Sequence, residues 1–122
     1  MEMNEALIIF DALSQETRLK ALRLLVQAGP KGLSAGVLSE RLGTPQNTLS
    51  FHLNHLANAR VVSSRKSGRS VIYSANYALI HHLIGFLVKD CCRDEWAVLQ
   101  EDAGQGQSVI RLKIDCQDES CS

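Results

Sequence analysis

The sequence lacks long apolar segments and recognisable catalytic motifs. Its longest apolar run is residues 6–10, far below the ~20 residues that a membrane-spanning helix needs. No signal-peptide pattern precedes this run, so we expect a cytoplasmic protein with no membrane association. The sequence has no glycine-rich phosphate loop, no paired catalytic carboxylates and no nucleophile with an evident base, so we predict no enzymatic activity.

Acidic residues are absent from the middle of the chain. The formal net charge of the 122 residues is zero, yet residues 41–89 contain six basic residues and no acidic one. Residues 90–122, in contrast, contain eight acidic and three basic residues. A polyanion can bind such a basic segment while the acidic end of the chain stays away from it. The alternative is that the basic segment is a charged surface that only confers solubility. The segment contains an unusual helix, described next, which favours the polyanion-binding interpretation.

This helix is predicted to begin at Pro45. Thr44 is a good N-cap residue, and proline fits best at the first helical position. At 100° per residue, one helix face collects the leucines Leu49, Leu53 and Leu56. The opposite face carries amide, hydroxyl and aromatic groups and no carboxylate. Neutral hydrogen-bonding groups beside basic residues suit the base edges of a DNA major groove.

Three further helices are predicted before this one, at residues 5–13, 15–28 and 34–42. Ser14 and Ser34 are candidate N-caps for the second and third helices, and residues 31–33 form a short connector. The helix at residues 34–42 is separated from the one at Pro45 by only a few residues. Two short helices connected in this way are typical of a helix-turn-helix.

After this motif, the pattern changes to that of a hairpin and a final helix. Residues 61–66 and 70–73 read as strands around a turn at Ser67 and Gly68, with basic residues at the tip. A basic hairpin after a recognition helix is the wing of a winged helix. The final helix, residues 76–89 with Asn76 as its candidate N-cap, is apolar over roughly 200°, although one core-facing stripe needs about 100°. We expect a second copy of the chain to cover it.

The predicted fold class is therefore mainly α with a small β-hairpin, a winged helix-turn-helix that is dimeric through its first and last helices. With 45% hydrophobic residues, the chain can bury one modest core. We expect residues 1–92 to form the DNA-binding and dimerisation domain. Residues 93–122 are expected to be an acidic, partly flexible tail that carries Cys116 and Cys121.

Three stretches resemble the arsenic- and metal-responsive repressors of the ArsR/SmtB family. They are residues 13–25 (LSQETRLKALRLL), 49–56 (LSFHLNHL) and 65–73 (RKSGRSVIY), and the resemblance covers about residues 5–92. Each stretch alone is moderately specific, but all three in this order are a strong signal. The resemblance implies a dimeric winged-helix repressor that holds double-stranded operator DNA when empty and leaves it when a metal or metalloid binds.

The predicted DNA-binding residues combine this resemblance with the reading of the helix and the wing. The resemblance implies that Gln46, Asn47, Ser50 and Phe51 face the groove. We expect the wing to hold the DNA backbone or the minor groove. The full predicted set is Thr44, Gln46, Asn47, Ser50, Phe51, Asn54, Arg65, Lys66 and Arg69.

The four cysteines are the candidate sensor. A cytoplasmic chain keeps its thiols reduced, which favours metal ligands or redox groups over disulfides. The adjacent pair Cys91 and Cys92 resembles an arsenic- or antimony-binding subgroup of the family. Trivalent arsenic typically binds three thiolates. Cys91 and Cys92 supply two, so we expect Cys116 or Cys121, from either subunit, to be the third ligand.

Other signals and functions remain open at the level of the sequence. Zinc or cadmium could be bound by the same cysteines, and a redox- or sulfide-responsive repressor would use the same atoms. A winged-helix module that binds protein through Phe51 and the asparagine row is a further alternative. His52 is expected to be a half-buried, hydrogen-bonded residue, whereas His55 would touch phosphate or nothing.

Overall fold

The structure is a computed structural model that describes residues 1–89. The four cysteines and the predicted tail lie outside these residues. Residues 1–80 form one compact unit, and a second unit begins at His81. In chain order the elements are α1 (Met3–Leu13), α2 (Glu16–Ala28), β1 (Leu33–Ser34), α3 (Ala35–Leu42), α4 (Gln46–Asn58), β2 (Val62–Ser67), β3 (Ser70–Ala75) and α5 (Tyr77–Leu87). The predicted winged helix-turn-helix is confirmed.

Two of the predicted helix caps are present. The Oγ atom of Ser34 accepts a hydrogen bond from the Val37 amide at 3.1 Å, at the start of α3. At the start of α5, Asn76 Oδ1 accepts from the Leu79 amide at 3.2 Å. The glycine after α3, Gly43, adopts the left-handed conformation with φ 63° that ends many helices. Helix ends set by local side chains were therefore predictable.

The start of α4 lies one residue later than predicted. Pro45, with φ −57° and ψ 145°, is the N-cap, and its carbonyl accepts from the Leu49 amide at 2.9 Å. Thr44 does not cap the helix, because its hydroxyl donates to the Leu42 carbonyl at 3.4 Å. Because Pro45 is itself extended, the first helical residue is Gln46, and the N-cap position falls on Pro45 instead of Thr44.

The start of α2 also differs from the prediction. Ser14 is the C-cap of α1, and its hydroxyl donates to the Asp11 carbonyl at 2.8 Å. The N-cap of α2 is Gln15, whose Oε1 accepts from the Arg18 amide at 2.8 Å. Because Ser14 has φ −82° and ψ 30°, its backbone lacks the extended conformation that an N-cap needs.

The sheet has a third strand that was predicted as a connector. The strand order is β1-β3-β2, with antiparallel pairing throughout. Leu33 pairs with Tyr73, and a strand of only two residues is too short to show alternation. At the other end, Ser67 pairs with Ser70. The hairpin turn is therefore Gly68 and Arg69, one residue later than predicted.

The inner face of α4 is anchored in the core. Its leucines are fully buried, together with large apolar residues from the preceding helices and the start of the hairpin. The fully buried large side chains are Ile9, Leu25, Leu38, Leu49, Leu53, Leu56 and Val61. Burying one such side chain stabilises a fold by roughly 1.5–3 kcal/mol. The orientation of α4 is therefore determined by its apolar face, which leaves the opposite face to solvent.

The first helix exposes large apolar side chains. Leu7 is 56% exposed and Ile8 is 55% exposed, and Met3 and Phe10 are also exposed. Single exposed apolar residues are common, but a contiguous patch of them marks an interaction surface more often. Among the helices within residues 1–89, none is both long and apolar enough to cross a membrane.

Candidate nucleic-acid interface

The outer face of α4 is polar, exposed and free of carboxylates. Five of the predicted DNA-binding side chains are exposed on α4, namely Gln46, Asn47, Ser50, Phe51 and Asn54. Phe51 is 74% exposed, an unusual position for a phenylalanine. The helix therefore presents amide and hydroxyl groups around one aromatic ring, a composition suited to base edges and thymine methyl groups.

Thr44 and Asn47 serve the local backbone at the start of α4. Thr44 is half-buried, and its carbonyl accepts from the Ser39 hydroxyl at 2.6 Å, which connects the end of α3 to the start of α4. Asn47 Oδ1 accepts from the Thr48 amide at 2.9 Å and satisfies one of the amides left open at a helix start. Their predicted contacts to DNA remain predictions.

The basic residues of the wing have different surroundings. Lys66 and Arg69 are exposed near the tip of the β2–β3 hairpin. Arg65, in contrast, donates from Nη2 to the Lys31 carbonyl at 2.8 Å and from Nη1 to Ser74 Oγ at 3.3 Å. Arg65 therefore ties the wing to the segment that precedes β1. The sequence grouped these three residues, and the structure separates Arg65 from the other two.

The recognition helix is also tied to the two helices at the start of the chain. Arg18 on α2 places Nη1 3.2 Å from His52 Nδ1, and its Nε donates to the Ala12 carbonyl of α1 at 2.6 Å. His55 Nε2 lies 3.3 Å from Asp11 Oδ2. The prediction of a half-buried, hydrogen-bonded His52 is confirmed. His55, expected to touch phosphate or nothing, contacts Asp11.

The surroundings of His52 favour its neutral form. Burial, then the charge of Arg18 and then His55, lower the pKa of His52 from its ordinary value of 6.5. The imidazole also meets the ring of Phe51 edge to face, with the ring centroids 6.4 Å apart. His52 therefore connects the Arg18 guanidinium to the most exposed aromatic residue of the interface. The sequence contained both partners but no signal that they meet.

A shallow groove of about 680 Å³ lies between α1 and α4. Leu7 and Ile8 line it from α1, and Phe51 and Asn58 line it from α4. Phe51 thus borders both the polar face of α4 and an apolar groove. Within residues 1–89, no group of three or more His, Cys, Asp or Glu side chains is arranged to hold a metal ion.

Comparisons with known proteins agree with this geometry. A family described as a helix-turn-helix domain matches residues 13–65. The transcriptional repressor SdpR of Bacillus subtilis (strain 168) is 33% identical over 82 residues, which are 66% of this chain and 86% of that protein. The transcriptional activator HlyU of Vibrio cholerae is 33% identical over 95 residues, covering 76% of this chain and 85% of that protein.

Solved structures show the same similarity. The structure of HlyU from Vibrio cholerae N16961 matches with a TM-score of 0.60 and 33% identity, covering 76% of this chain and all of that one. An ArsR-like transcriptional regulator from Rhodococcus sp. RHA1 matches with a TM-score of 0.62 and 29% identity, covering 85% and 96%. The fold and its exposed helix thus define a DNA-binding transcriptional regulator of the winged helix-turn-helix class. Within that class, the chain belongs to the ArsR family.

Proposed function

We propose that this protein is a homodimeric transcriptional repressor that inserts α4 into the major groove of a partly palindromic operator. The observation that carries the proposal is the exposed, carboxylate-free face of α4. Gln46, Asn47 and Ser50 offer hydrogen bonds to base edges, and Phe51 offers contact to a thymine methyl group. Lys66 and Arg69 on the wing then neutralise phosphates beside the groove.

A second copy of the chain would cover the exposed apolar side chains of α1. Leu7 and Ile8 are each more than half exposed, which supports an interface through the first helix. The apolar sequence of α5 supports its participation. In a two-fold dimer, the two copies of α4 can reach half-sites one helical turn apart, as in other helix-turn-helix dimers.

The sign of regulation is part of the proposal, because one relative is named a repressor and another an activator. Repression follows if the operator overlaps the promoter, so that the bound dimer excludes polymerase. A reporter fused to a bound promoter should gain expression when the gene for this protein is deleted, and lose it again when the gene is restored. Expression that falls on deletion would identify an activator instead.

The proposed signal is trivalent arsenic or antimony, bound by Cys91, Cys92 and a third thiolate from Cys116 or Cys121. A soft trivalent ion prefers thiolates, and coordination deprotonates a thiol even where the local field does not. Zinc or cadmium are the other candidate ions. Operator release needs a coupling free energy of only about 1–3 kcal/mol, which changes affinity by about 5- to 150-fold.

A redox signal at the same cysteines is the second candidate. It is favoured by one structural relative at 31% identity, which is described as reduced HlyU from Vibrio cholerae N16961. Oxidation of Cys91 and Cys92, or of one of them with a tail cysteine, would then release the operator without any metal. Both candidates predict the same residues and differ in the reagent that acts.

One titration separates these candidates. Operator-bound protein is titrated with arsenite, antimonite, zinc and cadmium in reducing buffer, and separately with a thiol oxidant in metal-free buffer. We expect arsenite or antimonite to reduce affinity at least about fivefold. The Cys91→Ser, Cys92→Ser double variant should keep its operator under the same conditions. Single serine variants at Cys116 and at Cys121 identify the third ligand.

Three results would contradict parts of the proposal. Release of the double variant by arsenite would exclude Cys91 and Cys92 as the sensor. Release by the oxidant alone would establish the redox alternative. Failure of the wild-type chain to bind any promoter fragment at low salt would favour the remaining alternative, a module that binds protein through Phe51 and its polar neighbours.

A further inference from the structure

One guanidinium connects three helices of the domain. Arg18 on α2 donates from Nε to the carbonyl of the fully buried Ala12 on α1. That carbonyl is among the last four of α1, which have no partner within the helix, and a cation there is favoured by the helix dipole. The other end of the same guanidinium reaches His52 on α4. Arg18 thereby holds the recognition helix against the helix pair at the start of the chain.

The contact requires a particular protonation state of His52. Arginine has only donors, so His52 Nδ1 must accept, which places the imidazole proton on Nε2. A protonated imidazole has donors at both nitrogens and cannot accept from Arg18. Protonation would also leave two positive charges 3.2 Å apart. The bond between α2 and α4 therefore exists only while His52 is neutral.

His52 faces Arg18 and His55, and His55 in turn contacts Asp11. α2 contributes Arg18, α4 contributes His55, and α1 contributes Asp11, which His55 contacts at 3.3 Å. The lowered pKa of His52 means that the neutral form, and with it the bond, is complete above the ordinary pKa of about 6.5. The bond is lost as pH falls through the lowered pKa.

The position of His52 connects this titration to DNA reading. His52 lies between the buried Leu53 and the exposed Phe51, and its ring packs against that of Phe51. A binding surface keeps its geometry only when supporting contacts hold its side chains. When the Arg18 contact is lost, the His52 ring is no longer held in place. The Phe51 ring, which packs against it, then loses its support. Acidification would therefore disturb the interface without unfolding the core.

We propose that Arg18 is a positioning residue for the recognition helix and that, through His52, it makes operator affinity depend on pH. The proposal rests on the proposed function, since it concerns the operator complex. It assigns a role to two residues that contact no DNA in the proposed complex. It also predicts a response to acid that is independent of the cysteines.

Substitution of His52 by asparagine is the most informative test. The amide oxygen of asparagine can occupy the position of Nδ1 and accept from Arg18, but it does not titrate. Operator affinity is measured in steps downward from about pH 7.5, which lies above the ordinary histidine pKa. Wild-type affinity should fall by up to about tenfold per pH unit below the His52 pKa, as the competent fraction decreases. His52→Asn should bind equally well throughout.

Two other variants and a control complete this measurement. His52→Ala removes the acceptor, and Arg18→Lys keeps the charge but lacks the planar fork that reaches both Ala12 and His52. Both variants should bind more weakly at pH 7.5 and show little dependence on pH. His81→Asn removes an exposed histidine of α5, and its operator affinity should depend on pH as that of the wild type does. A pH response retained in His52→Asn, or full affinity in His52→Ala, would overturn the proposal.

A measurement on the free protein separates this proposal from the proposed function. Nitrogen chemical shifts of His52 should report the Nε2–H tautomer near pH 7.5 and a midpoint below the ordinary histidine pKa of about 6.5. The amide signals of α4 around Phe51 should shift with the same midpoint. If no DNA duplex is bound at any pH, the proposed function fails, and these signals alone decide. An Nδ1–H tautomer, or a midpoint at or above the ordinary value, would refute the positioning role.

Discussion

Arg65, Lys66 and Arg69 are close in sequence, but their side chains have different partners. Arg65 donates to the Lys31 carbonyl and to Ser74, so part of its hydrogen-bonding capacity maintains the fold. Lys66 and Arg69 are exposed on the hairpin. At the scale of the residue, a basic side chain in a DNA-binding protein can therefore serve the wing itself, the phosphate backbone, or both.

Alanine substitutions should separate these roles. Arg69→Ala and Lys66→Ala should each lower the salt dependence of operator binding, by up to about 0.9 in the log–log slope, without changing thermal stability. Arg65→Ala should also destabilise the domain, by about 1 kcal/mol for its lost hydrogen bonds. Affinity is measured over a series of salt concentrations, and stability by thermal unfolding. The control is Lys20→Ala, an exposed base on α2 that pairs with Glu16.

The wing assignment depends on the slope more than on the affinity. An unchanged slope and affinity in Arg69→Ala would show that the hairpin does not contact phosphate. A loss of slope in Lys20→Ala of the same size would show that the effect is one of net charge and not of position.

At the scale of the element, the two faces of α4 have different roles. The inner face is apolar and fully buried, so it carries stability, whereas the outer face is polar and exposed. Phe51 and Leu53 lie two positions apart and represent the two faces. Arg60 follows α4 and adopts a left-handed φ of 66°, which ends the helix sharply. This sharp end helps to keep the two faces of α4 in their orientation.

Substituting these two residues tests the division. Leu53→Ala should destabilise the domain by about 2–5 kcal/mol, because it leaves a cavity beneath the recognition helix. Phe51→Ala should change stability by less than about 0.5 kcal/mol, as exposed substitutions usually do, yet reduce operator affinity. Chemical unfolding and DNA titration measure the two quantities. Equal effects of both substitutions on stability would mean that Phe51 is covered in the folded protein.

At the scale of the whole molecule, the first helix is the part of the compact unit where a single chain leaves large apolar side chains exposed. Leu7 and Ile8 expose more than half of their surface and line the groove beside Phe51. An interface there would lie next to the recognition helix. Dimerisation would then also set the spacing of the two DNA-reading faces.

A charge in this surface should therefore separate the subunits. The Leu7→Glu, Ile8→Glu double variant should sediment as a monomer and lose affinity for a duplex with two half-sites, because each glutamate would be buried without a partner. Leu19→Glu, at a 44% exposed position on α2, is the matched control and should remain dimeric. A dimer that persists in the double variant would place the interface elsewhere.

Much of the fold and part of the candidate site followed from local sequence signals. The caps at Ser34 and Asn76 and the leucine face of α4 depend on residues a few positions apart, so their prediction needed no tertiary structure. The exposed polar face of α4 followed from the same helical periodicity. The errors at Thr44 and Ser14 were local choices between two adjacent capping residues, which the backbone conformation decided.

By itself, the sequence determined the order of the helices and the hairpin, the helix-turn-helix, the basic wing and the composition of the face offered to DNA. Only the tertiary structure decided which distant residues hold that face in place. The pairing of Leu33 with Tyr73, of Arg65 with the Lys31 carbonyl and of Arg18 with His52 joins segments far apart in the chain. Such contacts arise when the packed core brings distant elements together, and no local periodicity records them.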